Sequence, residues 1–142
     1  MKLDHIIVPT DFSETSVNAL RHAAGIAKRM GSTITLLHVY QRPYVQTYKG
    51  AILSASVDSN LHSQMREEIL HELHQMRDHD FLEGIHVNAK LVHDKPAWQF
   101  YEDLDPEDDH LIVMGTHGVT GLIHGGLFGT NTERVIRYTT IP

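Results

Sequence analysis

The chain has 142 residues, of which 41% are hydrophobic and 21% charged, values that suit one folded domain and are too apolar for a disordered chain. Twelve Lys and Arg stand against eighteen Asp and Glu, giving a formal charge of -6, and no run of basic residues offers a face to duplex nucleic acid. With no cysteine, a disulfide framework, a thiolate nucleophile and a cysteine zinc cage are all excluded.

Met1 to Pro9 contain neither the long apolar region nor the small-residue cleavage site of a secretory signal, and every apolar stretch falls far short of the ~20 residues that cross a bilayer. A soluble, cytoplasmic protein is the expectation. His5-Ile6-Ile7-Val8 is a β-branched run stopped by Pro9, which predicts a first strand buried on both faces. A helix is predicted from Ser13 to Met30, with Val17, Leu20, Ala24 and Ala27 on its apolar stripe, and Ala23 and Met30 flanking it. Asp11 or Ser13 can cap its start, and Gly31 supplies the left-handed residue past its end.

Thr33 to Tyr40 is a second strand, rich in β-branched residues, and strand, helix and strand form a right-handed parallel unit. From Gln41 to Val57 neither period is present, so an irregular excursion is expected. A second helix follows from Asp58 to Asp80, its buried stripe marked by Leu61, Met65, Ile69, Leu73 and Met76. Ile85 to Val92 alternates and predicts an edge strand, and Pro96 suits the first turn of a short helix over 97–104. His110 to Met114 is the most apolar strand and is expected to be central. A last helix begins near Asn131 and carries Val135 and Ile136. This alternation defines an α/β fold with a doubly wound parallel sheet.

Ligands of such sheets bind beyond the carboxyl ends of the strands, where strand order reverses. Two segments are expected to emerge there, Pro9-Thr10-Asp11-Phe12-Ser13 and Gly115-Thr116-His117-Gly118. The glycines of the second let backbone amides approach a ligand closely and adopt conformations that other residues avoid. Gly129-Thr130 opens the last helix, where free amides and the positive dipole end favour an anion. Asp11 can accept from a ribose hydroxyl or an adenine amino group, or ligate Mg²⁺. The segment matches neither a P-loop nor a dinucleotide fingerprint. His71 and His74 lack zinc-protease spacing and read as a solvated helix face, and Asp105 to Asp109 read as a solvated connection.

Ile6 to Ser13, Leu36-Leu37-His38-Val39 and Leu111 to Gly118 together resemble the universal stress protein family, and the likeness runs over nearly the whole chain. The resemblance implies a Rossmann-like, adenine nucleotide alpha hydrolase-like fold of three α/β/α layers, binding ATP as a regulatory ligand in stress response. Matched residue by residue, it implies Gly115, Gly118, Gly129 and Thr130 around the phosphates, with His117 and Asn131 beside them. It puts Pro9, Thr10, Asp11, Val39 and Met114 around adenine and ribose.

The chain departs from the family pattern where ten residues, Val119 to Phe128, separate Gly118 from Gly129, one more than usual. Gly125-Gly126 can absorb the extra residue as a bulge. The family's further apolar strand has no counterpart before Pro142, so a single domain lacking its last strand is expected, with a homodimer partner or a tandem second domain supplying the edge. No side chain stands out as nucleophile or general base, so the expectation is a non-enzyme. The alternative to nucleotide binding is a dimerisation or interaction module of the same fold.

Overall fold

The computed structural model describes residues 3–40, 45–46, 52–53, 59–93, 96–104, 110–117 and 130–142. Its strands are β1 (His5–Pro9), β2 (Thr33–Tyr40), β3 (Val45–Gln46), β4 (Ile52–Leu53), β5 (Val87–His93) and β6 (His110–Ile112). The helices are α1 (Glu14–Met30), α2 (Ser59–Arg77) and α3 (Thr130–Tyr138), with 3-10 turns at Asp80–Leu82 and Gln99–Asp103.

Four strands form one parallel sheet in the order β5-β2-β1-β6. Because successive side chains of a strand point to opposite faces, the sheet has two cores. Ile6, Val8, Ile34 and Leu36 pack with Leu20, Ala23, Ala24 and Ala27 of α1 and Leu73 and Met76 of α2. On the other face Ile7, Leu37 and Val92 meet Phe100 and Val135, with Val39, Ile112 and Met114 beside them. The result is three layers, α/β/α, with the sheet in the middle.

α1 follows the pattern of its sequence at both ends. Ser13 is the N-cap, its hydroxyl accepting from the Ser16 amide, and Gly31 closes the helix in the left-handed conformation with its amide on Ala27 O. Met30 lies off the buried stripe, 45% exposed. α2 ends at Arg77 rather than Asp80, because the chain tightens there into a 3-10 turn. The short segment after Pro96 is likewise a 3-10 turn and not an α-helix. Val45–Gln46 and Ile52–Leu53 pair antiparallel inside the stretch expected to be irregular. Two-residue strands are too short for alternation to register in a sequence.

β5 is an edge strand with alternating exposure, as its pattern indicates. The fourth parallel strand, β6, corrects the expectation of a central one: it stands at the opposite end of the described order, beside β1, and its residues are half-buried. An unbroken apolar run reports that both faces of a strand are covered by helices, and it carries no information about how many strands flank it. The outer side of β6 is met by the chain's last residue, with the Ile112 amide donating to Pro142 O at 2.8 Å.

Candidate functional site

Strand order reverses between β1 and β6, so the crevice of this sheet opens above their carboxyl ends. Residues 10–13 leave β1 and residues 113–117 leave β6 at that point, as the register His5↔His110 and Ile7↔Ile112 requires. The Val113 amide donates to Ile7 O at 2.9 Å, which keeps the two exits side by side.

The first loop is tightly determined. The Thr10 amide donates to Leu37 O at 2.8 Å, and its carbonyl accepts from His38 Nδ1 at 2.7 Å. The Thr10 hydroxyl is buried at 2.9 Å from Ser16 Oγ and 3.3 Å from Met76 Sδ, and it accepts from the Phe12 amide at 3.0 Å. Each polar atom of Thr10 thus has a protein partner, and the residue shapes the loop from beneath. Phe12 has φ 65°, and a bulky residue in that region carries strain of about 1–3 kcal/mol. Its ring lies against the His38 imidazole with centroids 4.7 Å apart. Asp11, between these two anchored residues, is exposed, and its Oδ1 accepts from the Ser13 amide at 3.0 Å and from the Ser13 hydroxyl.

The second exit is packed against two helix starts. A Cβ added to Gly115 would meet the Thr15 carbonyl carbon, Cβ and oxygen, each at 3.2 Å. The Thr15 hydroxyl donates to His117 O, and Thr132 Oγ1, buried in the first turn of α3, donates to Gly115 O at 2.8 Å. Among the described glycines a positive φ occurs at Gly31 and Gly84 and not at Gly115, so residue 115 is small because α1 comes close and not because its backbone needs an unusual conformation. The first turns of α1 and α3 therefore flank the turn at 115–117.

Of the residues singled out from the sequence, the structure gathers Pro9, Thr10, Asp11, Gly115 and His117 at this crevice. Val39 and Met114, both half-buried, share the apolar cluster beneath α3, and Asn131 is exposed in the first turn of that helix. Gly118, Gly129 and the Thr130 side chain lie outside the described residues, as do residues 119–128 and the acidic stretch 105–109. His71 and His74 are exposed on α2. Three residues carry the geometry without having been chosen as site residues, His38, Thr15 and Thr132. His38 had a signal, since it lies one residue before Val39 and two positions along a strand from Tyr40, on the face opposite Val39. Thr15 had none, because its partner lies 102 residues away.

Among the described residues no group of three or more His, Cys, Asp or Glu is placed to hold a metal ion. No helix of the described residues is long and apolar enough to cross a membrane.

The fold is that of a doubly wound α/β domain whose β1 and β6 exits meet at the switch point of the sheet. Residues 2–142 match the family model described as the universal stress protein family, and the chain belongs to that family. It is 30% identical over 139 residues to the universal stress protein MJ0531 of Methanocaldococcus jannaschii, covering 96% of this chain and 78% of that one. The solved structure of the protein MJ0577, 26% identical, superposes with a TM-score of 0.74 over 100% of this chain and 94% of the other. A universal stress protein solved in complex with cAMP shares the fold at 15% identity, with a TM-score of 0.64 over 99% of this chain and 94% of that one.

Proposed function

We propose that this chain is a regulatory domain of the stress response that binds ATP or a related adenine nucleotide in the crevice between β1 and β6. The observation that carries the reading is the junction at Gly115, where the starts of α1 and α3 are tied to one turn by Thr15 and Thr132. Helix starts present free amides and a positive dipole end, and two of them beside one turn favour an anion. A protein of this fold is known in complex with cAMP, so the architecture accommodates an adenine nucleotide.

In this reading Gly115, Gly118, Gly129 and Thr130 surround the phosphates, with His117 and Asn131 beside them. Val39 and Met114 supply the apolar bed for adenine, and exposed Asp11 accepts from the ribose. Pro9 and Thr10 fix the loop that presents Asp11. Any Mg²⁺ arrives with the phosphates. In this reading the role is regulatory rather than catalytic, with Asp11, whose Oδ1 accepts from Ser13, serving as a binding group. Occupancy acts by shifting the domain between shapes or pairings. In this reading the domain pairs with a second copy or with a tandem domain. The cysteine-free composition suits a cytoplasmic setting.

The second reading is an interaction module that holds no nucleotide, and the ten-residue spacing from Val119 to Phe128 favours it. Thermal denaturation with and without ATP and Mg²⁺ separates the two. At a hundredfold excess over Kd a bound ligand adds about 2.7 kcal/mol, which for a chain of this size raises Tm by about 8–10 °C. An unchanged Tm, together with no nucleotide released from heat-denatured protein, supports the interaction module instead.

A further inference from the structure

Asp11 is the exposed acceptor of the crevice, yet the residues on either side of it are held by the neighbouring strand. The hydrogen bond from His38 Nδ1 to Thr10 O, at 2.7 Å, has one possible direction, since a carbonyl only accepts. His38 therefore carries its proton on Nδ1 in that bond. The same imidazole supports the Phe12 ring at 4.7 Å, and Phe12 is the residue of the loop with a left-handed backbone, φ 65°. One side chain of β2 thus fixes both neighbours of Asp11. The main-chain ladder reaches only as far as the Thr10 amide on Leu37 O, and beyond it the imidazole does what a strand amide would otherwise do.

We propose that His38 is a positioning residue for the nucleoside half of the site: it clamps Thr10 and Phe12 so that Asp11 is preset toward the ribose, without touching the nucleotide itself. The inference rests on the nucleotide-binding reading and adds to it a division of labour. The loop at 10–12 reads the nucleoside and depends on His38. The turn at 115–117 takes the phosphates, is held by Thr15 and Thr132, and does not depend on His38. A preset loop saves the ordering cost that a free one incurs on binding, so loss of the clamp weakens binding without removing a contact.

Calorimetric titration of the intact chain with ATP, adenosine and inorganic tripolyphosphate tests this on two variants. His38→Leu removes the donor and the ring, whereas His38→Asn keeps an N–H close to the position of Nδ1. For His38→Leu the expected result is a loss of about tenfold or more in affinity for ATP and adenosine alike, with tripolyphosphate changed less than about twofold; His38→Asn stays within about threefold of the parent for all three. In the free protein, amide hydrogen exchange at Phe12 and Ser13 is about tenfold faster in His38→Leu than in the parent and intermediate in His38→Asn, which restores the bond to Thr10 O but not the ring against Phe12. Nitrogen spectra of the parent imidazole report the Nδ1–H form.

The proposal is overturned if His38→Leu binds ATP and adenosine as the parent does. It is also overturned if tripolyphosphate affinity falls along with adenosine affinity, which marks general damage to the fold. A parent protein that binds neither ATP nor adenosine refutes the nucleotide reading itself, and this is recognised independently because the exchange difference at Phe12 persists. Unchanged exchange in His38→Leu, with ATP still bound by the parent, refutes the clamp and leaves the nucleotide reading standing.

Discussion

Substituting alanine at Gly115 tests the junction that the site depends on. The new methyl would lie 3.2 Å from the Thr15 carbonyl carbon and oxygen and from its Cβ. Two of those atoms are backbone of the second residue of α1, so no side-chain rotation relieves the contact. Separation by a few tenths of an ångström requires moving either the first turn of α1 or residues 113–117. The latter are held by Val113 N to Ile7 O at 2.9 Å and by Thr132 Oγ1 to Gly115 O at 2.8 Å. Overpacking of this kind costs about 1–3 kcal/mol. Since φ at residue 115 is not positive, alanine also restricts the unfolded chain, which offsets about 0.4–1 kcal/mol. The net is a destabilisation of about 0.5–2 kcal/mol, a fall in Tm of about 2–7 °C by scanning calorimetry. Gly25, in the middle of α1 with nothing within 4 Å of an added Cβ, is the control. Gly25→Ala gains about 0.5–1 kcal/mol, because glycine is a poor helix residue. The reasoning is refuted if Gly115→Ala is as stable as the parent, or if the two substitutions shift Tm in the same direction.

Thr10→Val keeps the shape of a buried side chain but removes the acceptor of the Phe12 amide and the partner of Ser16 Oγ; equilibrium denaturation is expected to show a loss of about 1–3 kcal/mol. Glu133→Ala breaks the pair with Arg137, whose side chains are 56% and 64% exposed, and is expected to change stability by less than about 0.5 kcal/mol in the same assay.

Much of the layer order was legible because it rests on local periodicity. The β-branched runs at 5–8 and 33–40, the stripe of α1 and the glycine at its end each record a neighbour three, four or two residues away, and the structure matches them closely. The lateral order of the strands was not legible in the same way. His110 to Met114 is apolar because helices cover its faces, and the same composition would serve an inner or an outer strand. The 3-10 turn at 80–82 begins where the second helix was expected to end, and the one at 99–103 lies within the short helix expected over 97–104, because three to five residues carry no period of their own.

The two loops of the candidate site were legible as strand exits, and their construction was not. Glycines after one strand and an aspartate after another are a weak signal on spacing alone, and the family resemblance is what singled them out. The hydrogen bond of Thr10 to His38 spans 28 residues, and that of Thr15 to His117 spans 102, so neither leaves a trace in any short window. Gly115 shows the difference clearly: its identity was read as conformational freedom, whereas the structure gives it a packing reason in a residue a hundred positions earlier.

Backbone amide spectra of the isotope-labelled chain, recorded during titration with ATP and Mg²⁺, address the nucleotide site most directly. The account predicts saturable shifts concentrated at residues 10–13, 39, 114–117 and 131, which border the switch point. Absence of shifts at millimolar ATP, or shifts confined to the opposite end of the sheet around Lys28, Gly31 and His86, would contradict it.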